Sequence, residues 1–278
     1  ATELEFYLID DSAESPRPPK DPTSNRKIDS SAILSLQQLD AFEPFFSELY
    51  QSCAQMGINA QAASSEAGIG QFEISLQHGD ALRIADDTWL FKALLKGLAR
   101  KHGYAASFMA KPYPNDAGNG LHLHFSVIDE AGENIFDDGT KQGSPLLQNA
   151  IAGCLATMRA ATLGFAPHAN SYTRMDPENH APTSICWGYE NRTAALRIPA
   201  GAHRTRRIEH RVAGGDINPF LTLSLILGAA LLGIEDDLTP PPPITGNAYS
   251  QDLPQLIHSW PEAIDLFEND PMIARILP

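Results

Sequence analysis

The chain opens on a period-two pattern. Thr2–Ile9 (TELEFYLI) alternates polar and apolar side chains, as a half-buried strand does. The same period recurs over Gln71–Leu76 and Leu121–Ile128, and Arg207–Val212 predicts a further short strand. Elsewhere the apolar spacing lengthens to that of a helix. Leu34, Leu36, Leu39, Phe42, Phe45, Phe46 and Leu49 predict a helix from Ser31 to Met56, stopped by Gly57 at its C-terminal turn. Trp89–His102 and Gln148–Gly164 predict two more, and Gly103 ends the first of these. Asn218 and Pro219 supply an N-cap and a first-turn proline for a buried helix reaching Ile234. Residues 11–31 and 166–190, with their Pro, Ser and Asp, predict loops, the first of them long and mobile, and Pro240–Pro243 a rigid surface run. The mixture has no regular βαβ beat and no internal repeat. The fold class expected is α+β, a curved, mostly antiparallel sheet with helices on its outer face.

The polar positions of those strands carry unusual chemistry. Residues i and i+2 of a strand face the same way, so Glu3 joins Glu5, Gln71 joins Glu73, His122 joins His124, and Arg207, Glu209 and Arg211 line one face. One such segment describes a sheet wetted on one side. Four of them, with Glu, His and Arg where a merely wet face would carry Lys and Thr, describe a functional face. Glu3, Glu5, Glu73, Glu209 and His122 together would repel unless cations intervened. Oxygen ligands with one imidazole suit Mg²⁺ or Mn²⁺ better than zinc, and there are more carboxylates than one octahedral ion needs. On this reading, removing one carboxylate, Glu209 for example, relieves strain in the metal-free chain.

Charge sharpens the picture. The 278 residues carry 20 Lys and Arg against 34 Asp and Glu, a formal charge of −14, which argues against nucleic acid or an anionic membrane as partner. The most apolar stretch, Phe220–Ile234, is too short to cross a bilayer. Residues 1–10 lack the basic start of a secretion signal, and Cys53, Cys154 and Cys186 are too few and scattered for a disulfide framework. A reduced, cytoplasmic protein is expected, and the strand pattern starting at Thr2 predicts that the natural chain begins upstream. Within this acidic chain, residues 192–211 hold six arginines (Arg192, Arg197, Arg204, Arg206, Arg207, Arg211) and no lysine. Arginine alone suits fork-shaped contacts to carboxylate and phosphate oxygens. Metals beside guanidinium groups describe phosphoryl transfer, here without a GxGxxG or GxxxxGK[ST] loop.

Read in order, ELEF (Glu3–Phe6), EAGIGQFE (Glu66–Glu73), GNGLHLHFS (Gly118–Ser126), NSYTR (Asn170–Arg174), WGYENRTAALRIP (Trp187–Pro199), RIEHR (Arg207–Arg211) and NPFL (Asn218–Leu221) resemble the catalytic domain of glutamine synthetases. The resemblance implies one such domain over residues 1–278, without the family's N-terminal β-grasp domain and extreme C-terminus, and a ring-shaped homo-oligomer for the full-length protein. It implies ATP and two or more Mg²⁺ or Mn²⁺ ions as cofactors. One ion would be held by Glu5, Glu66 and Glu73, the other by Glu3, His122 and Glu209. His124, Ser126, Arg192, Arg197 and Arg207 would bind the nucleotide, and Gly118, Arg174, Arg192 and Arg211 would bind glutamate. The chemistry implied is transfer of the ATP γ-phosphoryl to the glutamate side chain, then displacement of phosphate by an amine or ammonia. Two departures bear on the acceptor. His180 stands where ammonia-using members carry a flap Glu, and Ala117 replaces the Asn before the motif glycine. Both resemble the γ-glutamylpolyamine branch, with Arg192 and His180 as the catalytic candidates. Glutamine synthesis from ammonia, a silent regulatory relative and a two-metal phosphohydrolase are the competing readings.

Overall fold

The computed structural model describes residues 1–28, 30, 33–176 and 181–278. They form two compact units, residues 1–121 with 214–219, and residues 122–213 with 220–278. Each mixes helices with a mostly antiparallel sheet, the α+β class expected.

The first unit runs β1 (Thr2–Ile9), α1 (Leu36–Ala41), α2 (Glu43–Met56), β2 (Ala60–Ser65), β3 (Gln71–Leu76), α3 (Ala81–Lys101) and β4 (Ala105–Ser107). Its strands lie in the order β2–β3–β1, all antiparallel, with β4 also pairing with β1. The apolar half of the alternation is the core: Leu4, Phe6, Leu8, Phe72 and Ile74 are fully buried. Phe72 meets the rings of Phe42 and Phe46 edge-on at 5.2 and 5.1 Å, a geometry that adds about 0.5–1.5 kcal/mol per pair beyond the buried area. The helix expected over 31–56 is two helices, and residues 31 and 32 lie outside those described. Phe42 leaves helical geometry (φ −98°, ψ 15°), and Pro44 removes an N–H that a continuous helix would use. Gly57, at φ +71°, closes α2 as expected. Helix α3 starts at Ala81 rather than Trp89, because Asp80 accepts the Leu82 and Arg83 N–H groups. The Asp86–Asp87 pair had hidden that first part; Asp87 pairs with Arg83 one turn earlier, at 2.9 Å. Between β1 and α1 the described residues form no helix or named strand, and isolated bridges Asp10–Arg17 and Lys20–Lys27 tie the segment together.

The second unit contains β5 (Leu121–Phe125, begun on the last residue of the first unit), α4 (Pro145–Met158), α5 (Thr162–Phe165), β6 (Trp187–Tyr189), β7 (Leu196–Ile198), β8 (Ile208–His210), α6 (Pro219–Glu235), α7 (Trp260–Asn269) and α8 (Pro271–Ile276). Strand order is β5–β8–β7–β6, antiparallel except for β6 with β7. Strand β8 is shorter than the 207–212 expected. Among its described residues, 166–176 and 181–190, the region expected as loop over 166–190 holds a 3₁₀ turn at Ala169–Arg174 and β6, more regular structure than its prolines implied. Helices α4 and α6 cross where two glycines meet. A Cβ on Gly153 would lie 2.0 Å from the Ala229 carbonyl oxygen, and one on Gly233 would lie 2.1 Å from that of Asn149. Helix α6 buries Leu225, Ile226 and Ala229 but leaves Leu221 and Leu231 half exposed, so it is a core helix with one outward stripe rather than one buried all round. Among the described residues no helix is long and apolar enough to cross a membrane. All three cysteines are free and buried.

Candidate functional site

In the first unit the acidic face follows from strand register. Leu4, Phe6, Phe72 and Ile74 point into the core, which turns Glu3, Glu5 and Glu73 to the other face, partly buried. Glu5 and Glu73 are direct cross-strand partners, and Glu3 brings a carboxylate oxygen within 4.8 Å of one from Glu73. Like charges directly opposite one another destabilise a sheet, so this face asks for a cation. Glu5 already uses one oxygen, Oε2, to accept the Gly120 N–H at 2.6 Å. Glu66 sits in the turn between β2 and β3, where its N–H donates to the Gln71 carbonyl at 3.0 Å and its Oε1 accepts the Ser64 hydroxyl at 2.8 Å.

Gly118, buried, ends a loop whose shape is set by side chains. The Asp116, Ala117 and Gly118 carbonyls accept in turn from Lys111 Nζ (2.6 Å), the Tyr7 hydroxyl (2.7 Å) and Gln71 Nε2 (2.9 Å). The Asp116 carboxylate accepts the Ile69 N–H at 3.0 Å, which joins this loop to the Glu66 turn. Gly68 packs so closely on the Tyr7 ring that a Cβ there would fall 1.8 Å from the hydroxyl oxygen. Burial, then the carboxylates of Asp116 and Glu5, push the Tyr7 phenol well above its ordinary range, so it stays a hydroxyl donor. None of Tyr7, Lys111 or Asp116 was singled out from sequence. Tyr7 follows Glu5 by two residues and shares its face of β1, but as one more aromatic in the run FYLI it does not stand out.

In the second unit His124, Glu209 and Arg197 occupy one row across β5, β8 and β7. Glu209 is 1% exposed, and its carboxylate accepts Arg197 Nη1 at 2.7 Å and Arg211 Nη1, with His122 Nδ1 4.0 Å away. Burial works to raise its pKa, but the charges of Arg211, His122, His124 and Arg197 outweigh it and hold the group below the usual carboxylate range. Arg207 Nε donates to His124 Nδ1 at 3.3 Å. Arg174 and Arg211 are both buried, and Arg174 donates to the Val212 carbonyl at 2.8 Å. Ser126 and Arg192 are exposed. The six arginines divide by role: Arg206 donates to the Thr140 and Lys141 carbonyls and so holds a loop. His210, on the apolar side of β8, packs on Phe165 at 4.6 Å; burial, with the charge of His122 behind it, pushes its pKa down to about 3, so it is a neutral packing residue. Trp187 is likewise buried and donates to the Pro241 carbonyl at 2.7 Å. His180 lies outside the described residues.

Comparison with known proteins gives one consistent result. Residues 1–278 match the glutamine synthetase catalytic domain. The chain is 38% identical over 275 residues to gamma-glutamylputrescine synthetase of Escherichia coli, covering 97% of this chain and 58% of that protein. It is 35% identical over 272 residues to gamma-glutamylethanolamide synthetase of Streptomyces coelicolor, covering 96% and 57%. Among solved structures, apo GmaS without ligand superposes with a TM-score of 0.89 at 29% identity, covering all of this chain and 64% of that one. The chain thus spans under two thirds of the length of these relatives.

Proposed function

Because the chain belongs to the glutamine synthetase family through its catalytic domain, we propose that the full-length protein is an ATP-dependent carbon–nitrogen ligase joining glutamate to a primary amine or polyamine. The observation that carries the reading is the direct opposition of Glu5 and Glu73 on one sheet face, with Glu3 beside them. That donor set fits hard divalent cations. Following the family resemblance, Glu5, Glu66 and Glu73 would hold one Mg²⁺ or Mn²⁺, and Glu3, His122 and Glu209 another. Bound there, the ions would offset the carboxylate charge and screen the phosphate oxygens.

The chain's own residues supply the rest. Arg197, Arg207, His124 and Ser126 are assigned to ATP, and Gly118, Arg174 and Arg211 to glutamate. Arg192 is assigned to both, with its guanidinium on the phosphoryl group as it moves. Glu209 orients Arg197 and Arg211 through the two ion pairs above, which fixes their forks before substrate arrives. In the first step an oxygen of the glutamate side-chain carboxylate attacks the γ-phosphorus of ATP, and the bond to the ADP oxygen breaks. In the second the amine nitrogen attacks the carbonyl carbon of the resulting acyl phosphate, the bond from that carbon to the phosphate oxygen breaks so that phosphate leaves, and a base takes the nitrogen's proton. His180 is assigned that last role, its ordinary pKa lying near working pH.

The acceptor reading rests on His180 and Ala117. Ammonium is small and is best drawn by a fixed negative charge, which neutral imidazole lacks, whereas a longer amine gains binding along its chain. The relatives named for putrescine and ethanolamide products point the same way. The test is Mn²⁺-dependent ADP release by the full-length protein with glutamate and, in turn, putrescine, ethanolamine or ammonium. Greater kcat/KM for an amine is expected. Ammonium at parity would make the protein a glutamine synthetase proper, and no glutamate-dependent release would make it a silent relative.

A further inference from the structure

The Gln71 side chain lies at the meeting point of three segments that the proposed function uses, and no role above absorbs it. It is 1% exposed, on the same face of β3 as Glu73. Its Oε1 accepts the Gly68 N–H at 2.9 Å, inside the turn that carries Glu66. Its Nε2 donates to the Gly118 carbonyl at 2.9 Å and to Asn119 Oδ1 at 3.1 Å, and stands 3.5 Å from Glu5 Oε2. The orientation of this amide is fixed by its partners. A backbone N–H can meet only the oxygen, and the Gly118 carbonyl can meet only the nitrogen. Asn119 is oriented in turn, because its own amide nitrogen donates to the Ser107 and Met109 carbonyls at 3.2 and 2.9 Å.

We infer that Gln71 is a positioning residue that sets the Gly118 carbonyl and the Glu5 carboxylate in place together, and so couples glutamate binding to metal binding. The inference rests on the proposed function for its two ligands. Its geometry is independent of that reading. Glu5 Oε2 accepts the Gly120 N–H and is approached by Gln71 Nε2, so these two contacts, one from the 118–120 segment and one from β3, fall on a single carboxylate oxygen. Tyr7 provides an internal contrast. It holds the neighbouring Ala117 carbonyl but makes no hydrogen bond to Glu5. Loss of Tyr7's hydroxyl should therefore loosen the loop alone, and loss of Gln71's amide nitrogen should disturb the loop and Glu5 at once.

The decisive change is Gln71→Glu, which alters one heavy atom. It sets a carboxylate oxygen against the Gly118 carbonyl, Asn119 Oδ1 and the Glu5 carboxylate, where a donor stood. In the full-length protein the expected result is a rise of about tenfold or more in both the glutamate KM and the Mn²⁺ dissociation constant, the usual effect of removing a partner that orients a ligand. The ATP KM should stay within about twofold. Tyr7→Phe should raise the glutamate KM and leave Mn²⁺ binding unchanged, a split that general loosening of the fold does not produce. Mn²⁺ binding is read by calorimetry on protein without substrates, so it holds even if glutamate-dependent ADP release is absent and the ligase reading falls. If Gln71→Glu does not fold, Gln71→Met removes the same donor without adding charge, and the same split is expected at smaller size. A folded Gln71 variant with unchanged Mn²⁺ affinity would overturn the inference, as would a Tyr7→Phe variant that weakens Mn²⁺ as much as Gln71→Glu does.

Discussion

Two carboxylates assigned to metal binding should respond to neutralisation with opposite sign, and Glu209→Gln is the informative case. From charge counting alone, removing any acid from a repelling cluster relieves strain. The structure reverses this for Glu209, which is 1% exposed and already paired with Arg197 at 2.7 Å and with Arg211. Those guanidinium side chains are themselves only 16% and 8% exposed. Neutralising the carboxylate strands both charges in a poorly hydrated place. Breaking a buried pair from one side costs about 3–5 kcal/mol. The amide oxygen of Gln still accepts one hydrogen bond, so we take the low end, about 3 kcal/mol. At roughly 2–4 °C per kcal/mol for a unit of this size, the apparent Tm should fall by roughly 6–12 °C. The assay is thermal unfolding of the full-length protein in EDTA, which removes any metal contribution. Glu73→Gln, measured beside it, should raise the Tm by roughly 2–4 °C, because it relieves a directly opposed pair worth about 1 kcal/mol. A Glu209→Gln protein as stable as the parent, or more so, would refute the argument.

Gly153→Ala should lower the Tm by several degrees or prevent folding, since its Cβ would lie 2.0 Å from the Ala229 carbonyl oxygen and the α4–α6 crossing has to open; soluble yield and circular dichroism read this out. Lys92 donates to the Gly215 and Ile217 carbonyls at 2.7 and 3.1 Å, and burial, reinforced by Lys96 and opposed by Asp216, pushes its pKa down to about 8. The unfolded chain then holds more protons than the folded one between that pH and about 10.4, so stability attributable to Lys92 rises with pH across the window and is flat below it. Denaturant midpoints of Lys92→Met should lack that rise relative to the parent. Arg206→Ala frees the Thr140 and Lys141 carbonyls, which should speed amide exchange in the 138–143 loop and leave Mn²⁺ affinity unchanged.

The elements legible in the sequence were those in which one physical rule acted alone. Residues 71–76 alternate because one face meets Phe42 and Phe46, so strand β3 was readable to the residue. Helix α3 was read late because Asp87, which looks solvent-bound in one dimension, is buried beside Arg83. Strands β4, β6 and β7 have three residues each, too few to display a period, and they exist because a neighbour offers a ladder. The helix expected over 31–56 ran two apolar patterns together across Phe42, because the pattern alone does not register the chain's change of direction.

The same distinction separates the two halves of the chemistry in the first unit. A face of carboxylates leaves a trace in sequence, because side chains at i and i+2 must share a side and opposed charges have no ordinary structural use. The loop ahead of Gly118 leaves none. Its three carbonyls are satisfied by Lys111, Tyr7 and Gln71, residues from five to 110 positions away in the chain; the spacing that sets Tyr7 and Gln71 on the carboxylate face does not say which carbonyls they meet. What unites them is an accounting requirement: a buried backbone carbonyl outside a ladder must find a donor somewhere. Their partners are therefore dictated by the folded position of the loop, and only the folded chain reveals them. It follows that Tyr7 and Gln71 should tolerate substitution worse than their residue types suggest, and that the loss should fall on ligand affinity as well as on stability. Tyr7→Phe removes one oxygen atom from a buried ring and leaves the Ala117 carbonyl without its donor, at about 1–3 kcal/mol. If that variant unfolds at the parent's temperature with the parent's glutamate KM, the loop is held by something other than these three donors.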